Sequence, residues 1–175
     1  MEIDFKDINY LQKGNPKQQK AYEVLTRLEI FSLLAAFNPI LVGTIPITID
    51  IDSSDLDIIC FFSSQTEFHD VIKMHFAHQH KFSIKSKGSR VVANFHVDGF
   101  EIEIFGQNVP THQQLAYRHM LIEHELLLKY GEAFRQQILE LKRKGHKTEP
   151  AFAKALNLTG DPYIELLKFE QDEQH

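Results

Sequence analysis

The 175-residue chain holds one cysteine, Cys60, which excludes an internal disulfide and argues for a reducing compartment. Long apolar runs are missing as well. The longest, around IFSLLAAFNPILVG, breaks at Asn38-Pro39 and is too short to span a bilayer. The amino terminus, MEIDFKDINYLQKG, carries acidic residues and no apolar stretch followed by small residues, so it does not read as a signal peptide. A cytoplasmic location without a membrane partner is expected. Positive charge is the minority sign, with 19 Lys and Arg against 24 Asp and Glu and a net charge of −5. Sequence-independent affinity for nucleic acid needs clustered positive charge. A nucleic-acid partner would therefore need a local basic patch and is not indicated by the overall charge. Repeats, low-complexity runs and Pro/Gly/Ser linkers are absent too. Hydrophobic residues at 43% and charged residues at 25% are what a soluble globular chain carries. A chain of this length hides roughly two-thirds of its unfolded surface, so residues 1–175 are read as a single domain.

Residues 16–37 place Ala21, Leu25, Leu28, Phe31 or Ser32, and Ala35 at helical spacing between Pro16 and Asn38-Pro39, which predicts one helix. PILVGT reads as a short strand ending at Gly43. TIPITIDIDSS alternates but carries turn residues, and DLDIICFF is an apolar strand headed by two aspartates. Residues 65–80 read as a helix with Phe68, Val71, Ile72 and Phe76 on one side, followed by a short strand, KFSIKS. RVVANFHV and FEIEIFG flank Asp98-Gly99, a strong hairpin signal. The implied register sets Val97 against Phe100, His96 against Glu101, Asn94 against Glu103 and Val92 against Phe105. Glu101, Glu103 and Phe105 then share one face, and Phe100, Ile102 and Ile104 point to the core. Helices are expected at 111–130, 132–144, 148–157 and 161–170, punctuated by Gly131, Gly145 and Gly160, with FEQDEQH as a frayed solvated end. Leu115, Ile122 and Leu126 form the expected core stripe of the first of these. Gln114, Tyr117 and Arg118 are placed toward its other faces. The fold class is α+β: a small mixed sheet flanked by helices, with a helical C-terminal region over 111–170.

The sharpest chemical signal is SSDLDIICFF. Asp55 and Asp57, two apart on a strand, project from one face, and adjacent carboxylates repel unless a cation lies between them. Such oxygen clusters suit Mg²⁺ or Mn²⁺ bound together with substrate phosphates. Glu103, or else Glu101 on the same face, is placed to supply a third carboxylate. Glu101 alternatively pairs with His96 across the hairpin, and the two aspartates alternatively cap a turn in solvent. Gly43-Thr44 closes a strand, and such a glycine lets phosphate approach backbone amides and a hydroxyl. Cys60 shares the parity of Leu56 and Ile58, so it is expected to be buried and inert. His69, His75, His78 and His80 lack zinc-ligand spacing. His119 and His124, five apart, belong to different helix faces.

The order of these pieces, VGT (42–44), ten residues, SDLDII (54–59) and later IEI (102–104), resembles the nucleotidyltransferase superfamily of polymerase β and the aminoglycoside and lincosamide nucleotidyltransferases. The resemblance covers residues 30–106. The whole chain also looks like a family of small uncharacterised bacterial proteins within that superfamily, through LVGTIPITIDIDSSDLDIIC, EIEIFGQNVPTHQQLAYRHMLIEHELL and KTEPAFAKALNLTGDPY. The resemblance implies a nucleotidyltransferase-like core and divalent ions on Asp55, Asp57 and Glu103. It further implies that Gly43 and Thr44, with Ser54 beside the aspartates, hold the phosphates of a nucleoside triphosphate donor. The implied reaction moves a nucleoside monophosphate to a hydroxyl-bearing acceptor and releases pyrophosphate. One departure stands out: no Lys or Arg lies between Thr44 and Asp55, and TIPITIDIDS is a poor helix that adds Asp50 and Asp52. Triphosphate charge would then be met by metal or by Lys85, Lys87, Arg90 or Arg118, with Tyr117 in a position to stack on a base. Two alternatives follow. One is an inactive nucleotide- or partner-binding module of the same fold. The other is a toxin-like nucleotidyltransferase acting on tRNA or protein.

Overall fold

A computed structural model describes residues 3–170, so residues 171–175 of the FEQDEQH end lie outside the described residues. After a 3₁₀ turn at Ile8–Lys13, helix α1 (Pro16–Arg27) starts with a capping box between Asn15 and Gln18 and with Pro16 in its first turn. The single helix expected over 16–37 is broken. Glu29 adopts φ 53°, α2 is only Ile30–Leu33, and a 3₁₀ turn spans Ala35–Phe37. The reason is burial. At 3.6 residues per turn, a straight helix would turn Ile30 and Leu34 about 140° and 180° away from Leu25. The break lets all three enter the same core cluster.

Five strands form one sheet in the order β1-β2-β5-β4-β3: β1 Ile40–Val42, β2 Leu56–Phe61, β3 His80–Lys87, β4 Arg90–Val97 and β5 Phe100–Gln107. β2 and β5 run parallel, and the other pairs are antiparallel. The β4–β5 register matches the expected one at Val97–Phe100, His96–Glu101, Asn94–Glu103 and Val92–Phe105. Helix α3 (Gln65–Phe76) stops four residues before the expected end because His80 already belongs to β3. Asp55 stands one residue ahead of β2 rather than within it.

Strand alternation divides the core in two. Leu41, Leu56, Ile58, Cys60, Ile102 and Ile104 face a layer that includes α1 and α3. Gly106 permits the closest approach there, because a Cβ would lie 2.3 Å from the Phe68 ring. Ile40, Val42 and Ile59 face the opposite layer, built from α4 (Leu115–Arg143), α5 (Thr148–Ala155) and α6 (Pro162–Leu167). Gly131, at φ 77° and ψ −165°, interrupts the helical geometry of α4, close to the expected division into two pieces. The phase of α4 corrects one reading: Leu115 is 53% exposed, whereas Tyr117 is buried with Met120 and Leu127. That packing sets the helix rotation, so Tyr117 is core and presents no open ring face for a base.

The segment between β1 and β2 forms neither helix nor strand. Ile45, Ile47 and Ile49 are all buried, Ile45 in one cluster and the other two in the second. Gln18 Nε2 donates to the carbonyls of Ile45 (2.9 Å) and Pro46 (3.2 Å), and Arg135 Nη1 donates to that of Ile47 (2.8 Å). Three β-branched anchors and Pro46 thus hold a compact turn that buries Ile47 together with Ile49, whereas a helix would set Ile45 and Ile49 on one face and Ile47 on the other. Among the described residues, no helix is long and apolar enough to cross a membrane.

Candidate active site

A row of side chains crosses the sheet at the level of Asp57. Val42 pairs with Asp57, Asp57 with Glu103, and Glu103 with Asn94. Since paired residues project from the same face, the carboxyls of Asp57 and Glu103 are lateral neighbours. Asn94 Nδ2 donates to Glu101 Oε1 and Glu103 Oε2, both at 3.3 Å, tying the two glutamates to one amide. Sequence reasoning pairs Asn94 with Glu103 without marking it as a site residue; a cross-strand Asn facing an acid is the signal available for it.

The acids strain one another electrostatically. Burial pushes the Asp57 carboxyl up to about 7, and repulsion from Glu103, Asp55 and Glu101 adds to it, while Lys142 opposes. Asp55 is raised as well, first by burial and then by Glu101 and Glu103, against the pull of His96 and Lys17. Lys17 binds the neighbouring loop, with Nζ 2.8 Å from the Ile51 carbonyl and 3.2 Å from Asp50 Oδ2. Asp50 is therefore partnered by a lysine rather than added to the carboxylate group.

Gly43 has φ +90°, and a Cβ there would lie 2.7 Å from Asp57 Oδ2. The glycine is thus needed twice, for its backbone conformation and for room beside the carboxylate. Gly43→Ala is expected to cost about 1–3 kcal/mol in chemical denaturation and to weaken divalent-ion binding by displacing Asp57. A variant with unaltered stability and ion binding would show that the close approach has no consequence. Thr44 Oγ1 donates to Ser54 Oγ at 3.1 Å, and Ser54 Oγ also accepts from Ile51 N at 2.9 Å. Ten residues apart in sequence, the two hydroxyls close the β1–β2 segment into a loop beside Gly43.

A cavity of about 530 Å³ opens over this face, lined by Gly43, Thr44, Asp57 and Glu103 on one side. His119, Glu123, Lys147 and Glu149, from α4 and the start of α5, line the other side. Glu101, Asp55 and Ser54 are not among its lining residues; Ser54 instead holds the Thr44 hydroxyl and the Ile51 amide. Arg118 turns elsewhere, with Nε and Nη2 donating to Glu170 at 2.8 and 2.7 Å. Lys85, Lys87 and Arg90 lie on the paired β3 and β4, and none of them lines the cavity. The cation that eases Asp57 is one the sequence reading misses. Buried Lys142 feels Glu123, Glu149, Asp50 and Asp57, and its Nζ donates to Thr148 Oγ1 at 2.8 Å. No local pattern marks it, because Asp50 and Asp57 are distant in sequence, Glu123 lies several turns earlier on α4, and Thr148 and Glu149 come only after the chain has turned into α5.

Among the described residues, no three carboxyl, imidazole or thiol groups gather closely enough to cage a metal, which also covers the histidines of α3 and β3. Mg²⁺ is ordinarily held by one or two carboxylates completed by water and substrate phosphates rather than by an all-protein cage. Asp57 and Glu103, mutually repelling acids at a cavity, fit that donor set.

A family model described as "Domain of unknown function (DUF4269)" matches residues 23–169. None of the curated proteins compared with the chain matches it. Among solved structures, Cid1, described with RNA terminal uridylyl transferase activity, superposes with a TM-score of 0.55 at 13% identity, covering 73% of this chain and 41% of that one. A cytoplasmic RNA terminal U-transferase gives 0.57 at 12%, covering 81% and 46%. A chain of the GLD-2/RNP-8 complex gives 0.56 at 13%, covering 79% and 56%. The chain thus spans about half the length of these structures. At this identity the likeness is one of fold: a mixed five-stranded sheet with flanking helices, as in nucleotidyltransferases.

Proposed function

The chain belongs to the DUF4269 family, and from that premise we propose that it is a metal-dependent nucleotidyltransferase. It would move a nucleoside monophosphate from a nucleoside triphosphate to a hydroxyl-bearing acceptor. The observation that carries this reading is the lateral pairing of Asp57 with Glu103 on parallel strands at the cavity, with Gly43 against the Asp57 carboxylate. The nucleotidyltransferase-like fold supports it.

Mg²⁺ or Mn²⁺ held by Asp57 and Glu103, with Asp55 alongside, would supply Lewis-acid polarisation of the phosphate and offset its charge. The acceptor oxygen attacks the α-phosphorus, the bond to the β-phosphate oxygen breaks, and pyrophosphate leaves. Glu103 is placed to accept the proton of the acceptor hydroxyl. Thr44, held by Ser54, offers its hydroxyl to the departing phosphates, and Lys147 supplies the cation that the β1–β2 loop lacks.

The test is incubation of the protein with each α-labelled nucleoside triphosphate, with Mg²⁺ or Mn²⁺, against small alcohols, tRNA and protein acceptors. Label transfer that requires the metal and is lost on chelation is expected. The compact turn at 44–49, with no basic residue, favours the second reading, a nucleotide- or partner-binding module without turnover. Nucleotide binding indifferent to metal, with no transfer to any acceptor, would replace the first reading with the second.

A further inference from the structure

The cavity wall opposite the sheet carboxylates is short of hydrogen-bond donors. Glu123 lines the cavity at 4% exposure, and its Oε1 has no hydrogen-bond partner among the described residues. Buried polar side-chain atoms are paired in the large majority of cases. An orphaned carboxyl oxygen at a cavity therefore calls for a donor from outside the chain. His119, one turn earlier on α4, has Nε2 2.8 Å from the Tyr163 carbonyl. A carbonyl only accepts, so Nε2 carries the hydrogen, and in the neutral ring Nδ1 is left as a lone-pair acceptor. That Nδ1 lies 3.8 Å from Glu149 Oε1, another acceptor. The lining as a whole is acidic, with Asp57, Glu103, Glu123 and Glu149 set against Lys147, while Lys142, which feels both Glu123 and Glu149, stays outside the lining.

Two kinds of cation answer such a wall, and spacing separates them. A transition metal needs its donors about 2.0–2.2 Å from one point, and no group among the described residues closes that tightly. An ammonium takes its acceptors at about 2.7–3.2 Å and tolerates a looser cluster. We propose that Glu123, Glu149 and His119 form an ammonium subsite that binds the primary amine of a small organic cation. Glu149 supplies a charge-assisted acceptor, Glu123 supplies its unpaired oxygen from a carboxyl that burial and Glu149 push up, and His119 Nδ1 supplies a third. A ligand bearing both an amine and a hydroxyl would then present its hydroxyl toward Asp57 and Glu103. On the nucleotidyl-transfer reading, this makes the acceptor an amino alcohol. That last step rests on the proposed function, whereas the ammonium subsite does not.

The experiment is calorimetric titration of the full chain, without nucleotide or metal, using 1,3-diamino-2-propanol and glycerol, which differ in two ammonium groups. Saturable binding of the diamine and none of glycerol is expected. Glu123→Gln and Glu149→Gln should each weaken it about tenfold or more. Glu149 is partly exposed, so its variant stays informative if the one at buried Glu123 fails to fold. Absence of saturable diamine binding, or unchanged affinity in both variants, overturns the proposal. So does displacement of the diamine by millimolar Mg²⁺, which would place it on the sheet carboxylates. Because the titration involves no turnover, diamine binding by a protein that transfers no nucleotide would retain the subsite and refute only the enzyme.

Discussion

Asp57→Asn is expected to lower metal-dependent nucleotidyl transfer by on the order of 10³-fold while leaving the protein folded. Lewis-acid stabilisation is worth several kcal/mol in such displacements, and each 1.36 kcal/mol is about tenfold in rate. Asp57 is the sheet carboxylate most burdened by burial and like charge, and it is the one Gly43 is shaped to admit. The amide keeps the shape and one acceptor oxygen but loses the negative charge. Glu103→Gln should fall by a comparable factor. Glu101→Gln should fall far less, because Glu101 lies outside the cavity lining and shares only the Asn94 amide with Glu103. Circular dichroism would show that each variant is folded before turnover is compared. Full activity in Asp57→Asn, or an equal loss in all three variants, removes the assignment of the cavity carboxylates.

The parts of this site that can be read from sequence are those set by local repeats. An Asp-Gly turn between alternating runs fixes which residues oppose one another, and side-chain alternation then puts Glu101 and Glu103 on the face away from Ile102 and Ile104. The same period of two explains why Cys60 is buried and Asp57 is not among the apolar set. Where tertiary packing decides, the pattern misleads. Helical spacing over 16–37 runs unbroken through Glu29, yet burial of Leu25 with Ile30 and Leu34 demands a break there. Ile122 and Leu126 of the expected α4 stripe are buried, but only tertiary packing decides that Tyr117 rather than Leu115 joins them. Arg118 reads as an available cation until Glu170, 52 residues later, claims it. Glu123 and Lys142 are the extreme case. Charged residues are rarely buried unless partnered, and nothing nearby in sequence marks these two as buried beside a cavity.

Stability of the metal-free protein is expected to fall as pH rises from about 4 to about 7, and Mg²⁺ should flatten that slope. The Asp57 carboxyl moves from 3.8 in its ordinary state to about 7 in the fold. Between these values the native chain holds a proton that the unfolded chain has released. The derivative of unfolding free energy with pH follows protons bound unfolded minus protons bound native, and that difference is negative here. The native state is therefore progressively penalised across the window, and the penalty is complete above about pH 7. At about 1.4 kcal/mol per pH unit, the ceiling is about 4 kcal/mol, a drop in Tm on the order of 10 °C for a chain of this size. Asp55 acts in the same direction, since burial and its glutamate neighbours raise it too. A divalent ion binds the ionised form, so it should raise Tm strongly at pH 8 and hardly at all at pH 5. Asp57→Asn removes both the titration and the repelled charge. It should show a shallower pH slope without metal, a higher Tm than the parent at pH 8, and little response to Mg²⁺. Melting curves at pH 5, 6.5 and 8, with and without Mg²⁺, read all three. An undiminished slope in Asp57→Asn, or a Mg²⁺ effect equal at pH 5 and pH 8, would separate the stability of the fold from these carboxylates and leave the ion without its proposed seat.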